Sequence, residues 1–286
     1  MTKDFLQQYD NHQWVWTVSA IAALASGIVA ATFRRAHPTP VSPCLSLIVF
    51  WLGLLGVLSA LGFVFLTGAL FHLNAPFFAL IDNALYPLSI AIFGRVFFRE
   101  RIDRRLLFGI ITSVSGLVLF FSGAFTTTTE FGIGCLFAVL TPLCFALSVV
   151  CVKKLLAAQA TVTLIVFWRF FLVAMAMLVV LMWRGHNLEV IFTPGVVAVA
   201  LFGYTLPMYV SFFALRHLPA SHFACVILII PVFSFVISAL AGKIHFLELT
   251  QIAGLTLVLV GIGVSIFKRK YARLGEGNLK LDPPEK

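Results

Sequence analysis

Residues 75–87, Ala-Pro-Phe-Phe-Ala-Leu-Ile-Asp-Asn-Ala-Leu-Tyr-Pro, set a carboxylate, Asp82, inside an otherwise apolar stretch. A charged side chain at the middle of a lipid-embedded helix costs about 2.5–3.5 kcal/mol on insertion scales, so Asp82 is expected to face a cavity or a partner. There it could bind a substrate ammonium or carry a proton. The structural alternative is a pair with Arg169 or a hydrogen bond to a broken helix end. Asn83 follows directly, and Tyr86 lies one turn on from Asp82, on the same helical face. Arg169, beside Trp168 in Phe-Trp-Arg-Phe-Phe (167–171), could meet a carboxylate through its planar fork of donors. The alternative is a snorkelling side chain whose head reaches the interface. Tyr204 and Tyr209 flank Pro207 and are polar-tipped aromatics suited to packing or to binding. Pro87 and Pro231 are helix-break candidates: each removes a backbone donor and frees a carbonyl that can line a cavity, or simply kinks a helix for packing.

Other chemistry finds little support. His72 and His217 close apolar runs without a second ligand nearby, and the five cysteines show no pairing or metal-ligand spacing. A phosphate-binding glycine loop, a zinc pattern and a nucleophile elbow are all absent, which argues against an ATP-driven pump or a membrane hydrolase. No catalytic residue, metal or cofactor is therefore assigned, and the chain is not read as an enzyme.

The elements that position these residues follow from composition. Hydrophobic residues make up 61% of the chain and charged ones 11%, with a mean hydropathy of +1.05, too apolar for a water-facing surface. The expected class is all-α, a polytopic membrane protein of about nine spans at 14–33, 45–71, 76–97, 106–124, 131–152, 162–183, 193–215, 220–242 and 250–267. Helices are preferred to a barrel because the runs are unbroken and lack alternation. The net charge of +9 reflects topology rather than nucleic acid. Sorted by alternate joins, sixteen of the 20 Lys and Arg fall on one side, three (Lys3, Arg184 and Lys243) on the other, and Arg169 within a span. This predicts an outer amino terminus and a cytoplasmic carboxyl terminus in the cell membrane. Trp14, Trp16 and Trp183 then fall near the outer interface. The first apolar run is read as a retained span, since it ends in Arg34-Arg35 without a cleavage pattern.

The chain also repeats itself. His-Leu-Asn-Ala at 72–75 is answered by His-Leu-Pro-Ala at 217–220, Gly109 and Gly116 by Gly254 and Gly261, and Pro87 by Pro231. An odd number of spans separates the copies, so the repeat is expected to be inverted, a hallmark of alternating-access carriers.

Ala-Leu-Arg-His-Leu-Pro-Ala-Ser (214–221), Pro231, Gly254 and Gly261 strongly resemble the second EamA repeat of the drug/metabolite transporter superfamily. Pro87, Phe-Arg-Glu-Arg (98–101), Gly109 and Gly116 resemble the first, and Phe167–Phe171 matches the aromatic-Arg opening of a family helix. The resemblance implies two inverted repeats, at 14–124 with four helices and at 131–267 with five, the first lacking its opening helix. Residues 268–286 are left as a cytoplasmic tail. It further implies a secondary transporter of a small organic metabolite such as an amino acid, amine or drug-like compound, driven by a proton or an exchanged solute. Its expected surroundings are the small-molecule substrate and the lipid bilayer, with no nucleic acid and with a homodimer as a possible assembly. A carrier-derived scaffold or accessory subunit without transport is the alternative.

Overall fold

The apolar runs fold as helices because lipid offers the backbone no partners, so each segment must satisfy its own N–H and C=O groups. The computed structural model describes residues 11–36, 45–73, 75–100, 104–120, 131–183, 193–227 and 249–266. They form α1 (Asn11–Ala36), α2 (Leu45–His72), α3 (Ala75–Phe98), α4 (Arg104–Phe120), α5 (Phe131–Ala157), α6 (Val162–Trp183), α7 (Pro194–His217), α8 (Ala220–Ile227) and α9 (Leu249–Ile266). Strands are absent among the described residues. The protein is an all-helical, multi-pass membrane protein. Six of the helices are long and apolar enough to cross a membrane, and α4 and α9 carry shorter apolar stretches at Leu107–Phe120 and Ile252–Val264. Of the nine spans expected, the one at 220–242 is described only to Ile227, and Pro231 lies outside the described residues.

Two local features depart from the sequence reading. Helix α3 continues through Pro87, so this proline does not end it. What it does is remove one N–H, which leaves the carbonyl of Asn83 without its usual intrahelical donor. Helix α7 starts with Thr193 as its cap, whose Oγ1 accepts from Val196 N at 3.3 Å, and then widens into a π-helical stretch over Val199–Thr205. There Thr205 Oγ1 donates to Ala200 O at 2.8 Å, five residues back. Such bulges recur where a helix must re-aim a side chain, and this one carries Tyr204.

The repeated glycines turn out to be a contact between the two copies. A Cβ on Gly116 would stand 2.7 Å from Gly254 O, and one on Gly261 would stand 2.6 Å from Gly109 O, so only glycine lets these backbones approach. Gly116 meets Gly254 while Gly109 meets Gly261, so α4 and α9 run antiparallel. Exchanging each residue for its repeat equivalent turns one contact into the other, as a two-fold axis requires. Ser113 Oγ donates to Val258 O at 3.2 Å between the same helices. Two other equivalent pairs, α3 with α8 and α1 with α6, also meet. The end of α3 lies against the start of α8, and in α1 Val15 packs with Val173 and Met177 of α6 while Gly27 meets Phe167. Equivalent helices that run in opposite directions make the two repeats inverted.

Candidate functional site

The site is built from α3, α5, α6 and α7, whose side chains meet in the largest buried cluster, around Ile90, Ala146, Ile165, Phe170, Phe212 and Leu215. Tyr86, Trp168, Tyr204 and Tyr209, four of the residues singled out in the sequence, pack against it. Asp82 stands seven residues into α3 and Arg169 seven residues into α6, and these helices start from opposite sides of the bundle. At a rise of 1.5 Å per residue each lies about 10 Å below its own surface, with Tyr86 near the middle. The Tyr86 hydroxyl is within electrostatic reach of both charges.

Arg169 is 5% exposed, so its head is held inside the bundle and does not snorkel to an interface. The guanidinium carbon lies 5.9 Å from the centre of the Phe145 ring on α5 and 5.7 Å from that of Phe212 on α7. Ring faces attract a cation but offer no acceptor in the guanidinium plane, and Nε is buried without a hydrogen-bond partner. Asp82 is in the same position with the opposite sign, since its Oδ1 is buried and has no partner. The structure brings the two within reach of one tyrosine but does not pair them. The one ion pair seen among the described residues is elsewhere, between Lys153 and Glu100.

The remaining candidates are engaged to differing degrees. Asn83 Nδ2 donates to Ala79 O at 2.7 Å, so one donor of its amide is spent on its own helix. Tyr204 and Trp14 pack against the same small cluster of Val18, Ile21, Val196 and Ala200, which ties the π-helical stretch to α1. Tyr209 Oη lies by the Ser26 and Thr163 hydroxyls yet makes no hydrogen bond of normal geometry. Trp168 packs edge-on against Phe167 and Phe171, with centroids 5.8 and 5.6 Å apart. His72 faces Phe71 and Phe137, His217 faces Phe213, and no group of three His, Cys, Asp or Glu side chains among the described residues could hold a metal.

Phe145 and Phe212 escaped the sequence reading, being two of 30 phenylalanines in apolar runs. In the sequence Glu100 appears only as part of Phe-Arg-Glu-Arg (98–101), a charged join. It proves to be a junction. Its Oε1 pairs with Lys153 of α5 and accepts from Ala220 N, the first residue of α8, at 2.9 Å. Beside it Lys153 and Lys154 lie 4.9 and 5.2 Å from the centre of the Phe98 ring, and Arg99 turns the chain with a φ of 52°.

Comparison with known proteins agrees with this architecture. A search of curated proteins finds no match. One solved structure, described only as a crystal structure of a protein, is similar with a TM-score of 0.73 over 92% of this chain and 90% of that one. The two are 17% identical, so the likeness is one of fold. The model of the EamA-like transporter family matches residues 1–122 and 132–267. With both halves of the sequence matched, and with inverted repeats meeting across their glycines, the chain belongs to the EamA-like transporter family.

Proposed function

We propose that this membrane transporter is a secondary carrier that moves a small organic metabolite across the cytoplasmic membrane by alternating access. The two repeats, at 14–124 and 131–267, would rock about a solute held between Asp82 and Arg169. One observation carries the reading: buried Arg169 and half-buried Asp82, side chains of opposite charge inside the bundle, each have a buried polar atom without a hydrogen-bond partner, and an aromatic cluster packs in the same region. An unpaired buried charge is costly to maintain, and a bound solute would supply the missing partner. Tyr86, Trp168, Tyr204 and Tyr209 would line the path, with the Asn83 carbonyl freed by Pro87 as a further acceptor. Asp82 would recognise an ammonium or couple transport to a proton. The sixteen-to-three sorting of basic residues supports an outer amino terminus and a cytoplasmic tail at 268–286.

The test is solute uptake and counterflow in proteoliposomes of the purified protein, with Asp82→Asn alongside. A carrier shows accelerated exchange that the variant loses. A scaffold descended from a carrier shows no solute-dependent flux and tolerates the change.

A further inference from the structure

Arg169 narrows the kind of solute. It is a permanent cation buried to 95%, its guanidinium carbon lies over the rings of Phe145 and Phe212, its Nε has no partner, and among the described residues no carboxylate pairs with it. The rings offer the cation no acceptor and Nε is left unsatisfied, and the group that matches a guanidinium through Nε and a neighbouring N–H is a planar anion accepting two parallel hydrogen bonds. We propose that the solute is an organic carboxylate with an apolar body, and that Arg169 holds its carboxyl group. The proposal rests on the carrier reading above.

Charge decides among the alternatives. One cation neutralises one negative charge, so a dianion such as a phosphate monoester would bring an excess charge into an apolar, aromatic surround and would also face Asp82. A simple amine could meet Asp82 but would leave Arg169 unpaired and add a second cation. A carboxylate satisfies Arg169, and a solute that also carries an ammonium can satisfy Asp82. The apolar body is accounted for by the aromatic walls, Tyr86, Trp168 and Tyr209, which pack against the same cluster.

Thermal unfolding of the purified full chain in detergent, with four probes at equal concentration, tests this directly. Phenylacetate, phenylalanine, phenethylamine and phenyl phosphate share one ring and differ in charge. The proposal predicts that phenylacetate or phenylalanine raises the wild-type Tm and that phenethylamine and phenyl phosphate do not. Arg169→Lys, which keeps the charge but loses the fork, should weaken that stabilisation about tenfold, the loss of one charged hydrogen bond. Arg169→Gln should abolish it while its ligand-free Tm stays at or above wild type, since an unpaired buried cation has been removed. Should Arg169→Gln fail to fold, Arg169→Lys decides. Stabilisation by phenethylamine or phenyl phosphate alone, by neither carboxylate, or undiminished in the Arg169 variants overturns the proposal. None of these results touches the carrier reading, which fails separately if proteoliposomes show no counterflow with a broad metabolite pool.

Discussion

Glu100 and Asp82 are both supplied by α3 or its end, yet their surroundings differ in kind. Glu100 has an ion pair with Lys153 and a backbone donor from Ala220, so its charge is spent on joining α3, α5 and α8. Asp82 has a buried oxygen with no partner, and Arg169, entering from the opposite side, has an unpartnered Nε. Partnered charge fastens helices together. Unpartnered charge in an apolar interior only costs stability, and its presence is accounted for when something that comes and goes supplies the partner. The end of α3 is thus read as a fastening and its middle as a site.

The contrast can be broken most forcefully at its satisfied end. Glu100→Ala leaves Lys153 and the first N–H of α8 unpartnered, and is expected to lower stability by about 2–3 kcal/mol, the range for a hydrogen bond to a charged group. Chemical unfolding in detergent measures this, and specific transport per folded molecule should change little. Lys153→Met leaves Glu100 its contact with Ala220 and should cost about 1–2 kcal/mol. The pair Glu100→Gln with Lys153→Met should cost less than Glu100→Gln and Lys153→Met added together, because once one partner is neutral the second change no longer breaks the ion pair; a double-mutant cycle reads that difference. At the unsatisfied end, Phe212→Leu removes one ring from beside Arg169 and should cost about 1 kcal/mol, on the scale of a cation–π contact plus lost packing. An effect of Phe212→Leu larger than that of Glu100→Ala would reverse the assignment of the two regions.

Much of this was legible in the chain because lipid makes certain residues expensive. Asp82 and Arg169 stood out as charges in apolar runs, and Gly109, Gly116, Gly254 and Gly261 stood out because glycine does not recur by chance as leucine does. The antiparallel crossing of α4 and α9 is what keeps those glycines. Glu100 gave no such signal, since it lies between Arg99 and Arg101 in a charged join where every residue looks like a topology determinant. The π-helical stretch of α7 was hidden as well: hydropathy reports that a segment is buried or lipid-facing, not whether its hydrogen bonds skip four residues or five. Phe145 and Phe212 were invisible for a third reason, as only the packing of α5 and α7 around Arg169 distinguishes them from the other phenylalanines. The suggested pairing of Asp82 with Arg169 failed on depth, since helices entering from opposite sides hold the two apart with Tyr86 between them.

The central claim is that the charges at the middle of the bundle serve a passing solute and not the fold, and Asp82→Asn tests it most directly when stability and proteoliposome counterflow are measured side by side. The amide has nearly the same shape and is cheaper to bury, so the account predicts unchanged or higher stability together with loss of counterflow or of its pH dependence. A fall in stability of about 3–5 kcal/mol, as when one partner of a buried pair is removed, or full activity with an unaltered pH profile, would contradict it.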